Sequence, residues 1–210
     1  MIIPVIPSTT VGEKVLVGHM IFDGPKPQVF GDTEDFNTFT SELSSQYDHS
    51  TPFLIFDVKG MRNRMMNIDL LKNMKVHRKD IWFLTCIEKV EDVFDAFNTD
   101  ADVLLIPYHT IISDDELKEI HRMSDRSFPA LFVRNKMTYT KNGMKDINKT
   151  MEKLNNMGFG SIAVFDLSGT LTKDEWDALS VNRRILPFIQ NERGQPIADC
   201  DFEWMFKSVL

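Results

Sequence analysis

A set of polar side chains stands where short apolar runs give way to polar turns: Asp57, Lys59, Cys86, Tyr108, His109, Arg134, Asn135, Asp166, Ser168 and Thr170. Asp57 and Asp166 could take or deliver a proton. Lys59 could form a Schiff base if desolvated, and Cys86 could attack as a thiolate. Arg134 could clamp an oxyanion through paired N–H groups, with Asn135, Ser168 and Thr170 adding hydrogen bonds. Each residue also has a structural reading. An Asp at a strand end caps the following turn or helix, and a lysine beside Gly60 in a loop reads as solvated. Cys86 has no histidine close in sequence to activate it and reads better as a small buried side chain than as a nucleophile. His109 follows Tyr108 in an apolar frame, as a hydrogen-bonded core or rim histidine would. Catalysis is therefore expected of Asp57 or Asp166, and ligand binding of Lys59, Cys86, His109, Arg134, Asn135, Ser168 and Thr170. The five histidines show no HxH or HExxH spacing, so no metal site is expected, and no cofactor is needed to account for the 12 methionines and 16 phenylalanines.

The elements that must hold these residues are strands alternating with helices. Apolar runs rich in β-branched and aromatic residues fall at Ile2–Ile6, Phe53–Phe56, Ile81–Leu84, Val103–Ile106, Ala130–Val133, Ser161–Phe165 and Ile185–Ile189. Helical spacing predicts helices over Val90–Asn98, Asp114–Met123 behind Ser113 as N-cap, Asp146–Met157 and Lys173–Leu179. Such alternation defines right-handed βαβ units and a parallel sheet, with functional residues at the carboxyl ends of the strands. One segment departs from it. Lys14–Phe22, turning through Asp23-Gly24 and returning near Gln28, reads as a hairpin inserted after strand 1. At the other end Phe202, Met205, Phe206 and Val209 lie on one face of an expected last helix, Phe202–Leu210. Seven strands are legible against the eight of a complete α/β barrel, which usually takes about 250 residues. The expectation is a single-domain (β/α)8 TIM-type barrel over residues 1–210. It is either incomplete at the last βα unit or completed by a stunted strand at Pro196–Cys200. An unclosed edge would need a neighbouring subunit, so a homo-oligomer is expected.

Composition narrows the function classes. A length of 210 residues, 42% hydrophobic and 26% charged, is that of a globular domain with a substantial core. Net charge −7 argues against a binder of nucleic-acid backbones, and the basic run Lys72–Lys79 is short and mixed with apolar residues. No apolar run approaches the length of a membrane helix. Two cysteines, Cys86 and Cys200, and the opening MIIPVIPSTT without a basic region fit a cytoplasmic protein.

The order of motifs resembles the histidine-biosynthesis barrels, the phosphoribosylformimino-aminoimidazole-carboxamide ribotide isomerase family and its cyclase cousin. IIPVI at Ile2–Ile6 is similar to the family's opening strand, and FDVKG at Phe56–Gly60 to its VDLDG. IEKVEDVFDAF at Ile87–Phe97 with ADVLLI at Ala101–Ile106 follows IRSLEDV and GADRVIL, and GFGSIAVFDLSGTLT matches the sixth strand and its DGTLxG loop. The resemblance implies two catalytic aspartates, but their positions hold Pro7 and Arg134, and a family threonine is replaced by Phe165. It also implies glycine-rich phosphate loops. Here these are Leu84-Thr85-Cys86-Ile87-Glu88, Pro107-Tyr108 and Gln190-Asn191, with side chains in place of bare N–H groups. The expectation is a relative without the isomerase's acid–base pair, working as a binding or assembly module. The alternative is an isomerase- or lyase-like enzyme re-specified for a small anionic metabolite. Re-specification requires Asp57, Arg134 and Asp166 to converge on one open cavity. Assembly requires a plugged mouth and an apolar patch near Phe202–Leu210.

Overall fold

The computed structural model describes residues 1–74, 79–99, 101–189 and 202–210. The chain opens with β1 (Ile2–Val11), β2 (Lys14–Asp23), β3 (Lys26–Asp35) and α1 (Phe36–Ser44). It continues through β4 (Phe53–Asp57), α2 (Val58–Asn63), α3 (Ile68–Asn73), β5 (Ile81–Leu84), α4 (Val90–Phe97), β6 (Val103–Pro107) and α5 (Asp114–Met123). Then follow β7 (Ser127–Arg134), β8 (Met137–Thr140), β9 (Gly143–Asp146), α6 (Ile147–Asn156), β10 (Ser161–Asp166), α7 (Lys173–Leu179), β11 (Arg184–Ile189) and β12 (Met205–Ser208). Parallel pairing runs β10-β11-β12-β1-β4-β5-β6-β7 and returns from β7 to β10, with Ala130 opposite Ala163. The result is a closed barrel of eight parallel strands with helices between them.

Alternation along each strand sorts the core into two layers. Ile3, Val5, Leu54, Phe56, Leu84, Leu105, Ala130, Phe132, Ala163, Phe165, Leu186 and Phe188 point inward and fill the lumen. Ile6, Ile55, Phe83, Leu104, Ile106, Leu131, Val133, Ile162 and Val164 point outward against the helices. The helices start on side chains suited to the task. Ser113 Oγ accepts from Glu116 N at 3.2 Å, and Thr172 with Glu175 forms a reciprocal capping box on α7. Glu116 does not reach back to its own cap; its carboxylate accepts from Val90 N at 2.9 Å and ties α5 to α4.

Three features differ from the sequence reading. The expected helix Phe202–Leu210 is instead strand β12, hydrogen-bonded between β11 and β1 with Ile3 opposite Phe206. Phe202, Met205, Phe206 and Val209 have helical spacing, but over so short a run the open edges of β1 and β11 decide the conformation. The barrel is therefore complete at its eighth strand. The alternative strand Pro196–Cys200 lies outside the described residues. At the front, β1 runs on past the barrel to Val11 and pairs antiparallel with β2, which pairs with β3, giving a three-stranded flap. Its distal turn is Gly24-Pro25, with Gly24 at φ 59°. Finally, β8 and β9 form an antiparallel hairpin after β7.

Candidate functional site

In a parallel barrel the site is sought at the carboxyl mouth, and here side chains close that mouth. Phe132 and Phe165 stack at 4.8 Å, as do Phe165 and Phe188. Phe22, from the flap, sits edge-on to Phe56, Phe132 and Phe188 at 6.0, 5.8 and 6.4 Å between ring centroids. Those three residues belong to β4, β7 and β11, which are spread around the circumference, so a ring touching all three lies on the barrel axis. Met20 and Met61 are buried in the same cluster. The amino end is filled as well. Trp82 stacks on Trp204 at 5.3 Å, and the Arg184 guanidinium lies 5.5 Å from the Trp204 ring centroid.

Asp57 and Asp166 end β4 and β10, four strands apart on opposite walls. Each follows an inward phenylalanine, so alternation turns both carboxylates away from the axis. Asp57 is fully buried and accepts from Gly60 N at 2.8 Å, Asn67 N at 3.0 Å and Thr85 Oγ1 at 2.6 Å. Burial pushes its carboxyl above the ordinary range, against the pull of those donors. A Cβ on Gly60 would lie 1.9 Å from Asp57 Oδ2, so this turn requires glycine. Asp166 accepts from Ser168 N, Gly169 N and Leu171 N at 3.2, 3.1 and 2.9 Å, and from Ser168 Oγ at 2.9 Å. The segments FDVKG and FDLSG thus use one device twice: a strand-end carboxylate holds the turn that leaves the strand.

The remaining expected residues separate into groups. Ser168 Oγ and Thr170 Oγ1 lie 2.8 Å apart, and Asn135 N donates to Ser168 Oγ at 2.9 Å, joining the β7–β8 turn to the β10 loop. Asn135 is exposed, with φ 50° in a two-residue turn. Arg134 is partly buried, and its guanidinium makes no hydrogen bond or ion pair with the described residues. Lys59 is exposed and donates to Thr10 Oγ1 at 2.9 Å. Cys86 is buried in the lumen layer; burial, then the Glu88 charge, pushes its thiol up to about 12. Tyr108 is buried, with its hydroxyl 3.4 Å from Asp114 Oδ1. Among the described residues Asp57, Arg134 and Asp166 do not converge, because the two carboxylates lie beneath turns on opposite walls.

Above the aromatic seal lies a shallow pocket of about 140 Å³, lined by the flap turn, α2, the β6 loop and β8. Its charged lining is Lys26, Arg64 and Lys141, with no acid, and His109 forms part of the floor. Burial, with Arg64 beside it, pulls His109 down to about 4, so the ring is neutral at pH 7. It packs edge-on to Phe132 at 5.0 Å, and its Nδ1 is buried without a hydrogen-bond partner among the described residues. Arg64 takes a left-handed conformation, φ 56°, at the end of α2 and pairs with Glu88 at 3.0 Å. Of these lining residues only His109 stood out in the sequence. The hairpin that carries Lys141 had a signal in Asn142-Gly143 after the alternating MTYT, whereas nothing local marks Lys26 or Arg64. Among the described residues no group of three or more His, Cys, Asp or Glu could hold a metal ion.

No protein-family model and no curated protein matches the chain. Fold and site together define a closed (β/α)8 barrel whose lumen is filled from end to end by its own side chains.

Proposed function

We propose that the protein is a barrel of the ribotide isomerase lineage that no longer performs the isomerisation and serves as a binding or assembly module. The observation that carries this reading is Phe22, seated on the barrel axis over Phe56, Phe132 and Phe188. A doubly phosphorylated ribotide has no room at a mouth filled this way. The two strand-end aspartates are committed to turns, and Pro7 and Arg134 cannot replace the missing acid–base pair. We also infer a cytoplasmic homo-oligomer that associates through the flap. Among the described strands β3 pairs with β2 alone, and Ile21 and Phe30 are exposed on the flap. Phe202–Leu210, the patch expected from sequence, instead packs into the core.

A re-specified isomerase- or lyase-like enzyme acting on a small anion is the second reading. The pocket of Lys26, Arg64, Lys141 and His109 favours it: Arg64 is paired with Glu88, and Lys26 and Lys141 leave a positive lining that suits a carboxylate or phosphate. A turnover assay with the ribotide decides the principal reading: no interconversion above background is expected, and turnover at an ordinary enzymatic rate would overturn it. Light scattering at tens of micromolar tests the assembly. A dimer or larger is expected, reduced to a monomer by Phe30→Glu, and a monomeric unaltered chain contradicts it.

A further inference from the structure

Beside the mouth, off the barrel axis, the β8–β9 hairpin, the start of α5 and Lys153 of α6 line a second cavity of about 100 Å³. Its lining includes Tyr108, Ser113, Asp114, Lys141, Lys145 and Lys153. Asp114 is its one acid, and that charge is already engaged. Lys153 forms an ion pair with it, and the Tyr108 hydroxyl lies 3.4 Å from its other oxygen. The ion pair holds the Lys153 amine above its ordinary range, so Lys153 stays charged. Lys141 and Lys145 remain uncompensated. Among the described residues Lys141 makes one long hydrogen bond, 3.4 Å, to the Ile112 carbonyl, and Lys145 is paired with no acid. In a chain of net charge −7 this is a local excess of positive charge inside a recess.

The recess opens into a groove of about 460 Å³ between α5 and α6, which shares Asp114 and Lys153 with it. The groove walls are polar: Lys118, Lys149, Glu152 and Asn156, with Met157 as the apolar exception. One compartment suits a single tetrahedral oxyanion, and the adjoining one suits a hydroxylated body that hydrogen-bonds to mixed donors and acceptors. We propose that this cleft binds a sugar monophosphate, its phosphate against Lys141 and Lys145 and its hydroxylated portion along the α5–α6 groove, past the Asp114–Lys153 pair. The site lies outside the sealed lumen and does not depend on the fate of the ancestral activity.

Calorimetric titration of the full chain at low ionic strength tests it, with glucose 6-phosphate, inorganic phosphate and glucose as probes. Glucose 6-phosphate is expected to bind at least tenfold more tightly than inorganic phosphate, and glucose not measurably. Lys145→Ala, at an exposed and unpaired side chain, should keep the fold by circular dichroism and weaken the sugar phosphate at least tenfold. Lys89→Ala, an exposed lysine elsewhere, should leave the affinity unchanged. The proposal is overturned if glucose 6-phosphate fails to bind at millimolar concentration, or if it binds no better than inorganic phosphate. Equal losses from Lys145→Ala and Lys89→Ala would overturn it too, by reducing the effect to net charge.

Discussion

At the scale of single residues, side chains that could have done chemistry are doing structural work. Asp57 is the clearest case. Removing it in Asp57→Ala strands buried donors from Gly60, Asn67 and Thr85, and should cost about 3 kcal/mol or more in urea unfolding. Gly60→Ala should cost about 2–3 kcal/mol, because the new methyl meets both the Asp57 carboxylate and the Met65 carbonyl. The pH dependence has a definite sign. Burial raises the folded Asp57 above its unfolded value of 3.8, so its contribution is present below that value and is lost as pH rises through the folded one. The deficit of Asp57→Asn relative to the unaltered chain should therefore narrow from acid to neutral pH. His109 works in the opposite sense. Its folded value, about 4 against 6.5, favours the fold above pH 6.5, and that share is lost as pH falls toward 4. An NMR titration of its ring protons should show a midpoint near 4; a midpoint at 6.5 would mean the ring is solvated. The sequence offered both readings of Asp57 and Asp166. It could not choose between them, because the choice depends on which way a strand-end side chain faces, and that follows from barrel register.

At the scale of elements, periodicity located every barrel strand with a long or strongly apolar run. It failed where the run was short and its partners distant in sequence. β12 spans Met205–Ser208, and its conformation is set by Ile2, Ile3 and Phe188, which lie on other strands at a distance in sequence. Deleting residues 202–210 should therefore expose the facing edges of β1 and β11 and abolish cooperative thermal unfolding. A truncated chain that melts as sharply as the full one would show β12 to be dispensable. The β8–β9 hairpin carries little periodic signal because its strands are four residues each, yet its Asn-Gly pair marks the turn. The flap shows the converse. A turn beside Gly24 could be read locally, although it falls at Gly24-Pro25 and not Asp23-Gly24, whereas the seating of Phe22 across three barrel strands is a long-range packing outcome. Phe22→Ala should lower stability by about 2 kcal/mol, less than for a fully buried ring because Phe22 is only partly buried.

At the scale of the whole molecule, the barrel is closed in its hydrogen bonding and filled along its axis, from Trp204 at one end to Phe22 at the other. Among the described residues no helix is long and apolar enough to cross a membrane. Outside the lumen the molecule presents the exposed flap, the cationic pocket above the seal and the lysine-lined cleft beside it. The seal itself can be observed directly. A nuclear Overhauser spectrum of the full chain with labelled aromatic rings should show cross-peaks from the Phe22 ring to the rings of Phe132 and Phe188, unchanged by saturating ribotide. Absence of those cross-peaks, or their loss as ribotide is added, would mean that the mouth opens to substrate and would contradict the sealed barrel.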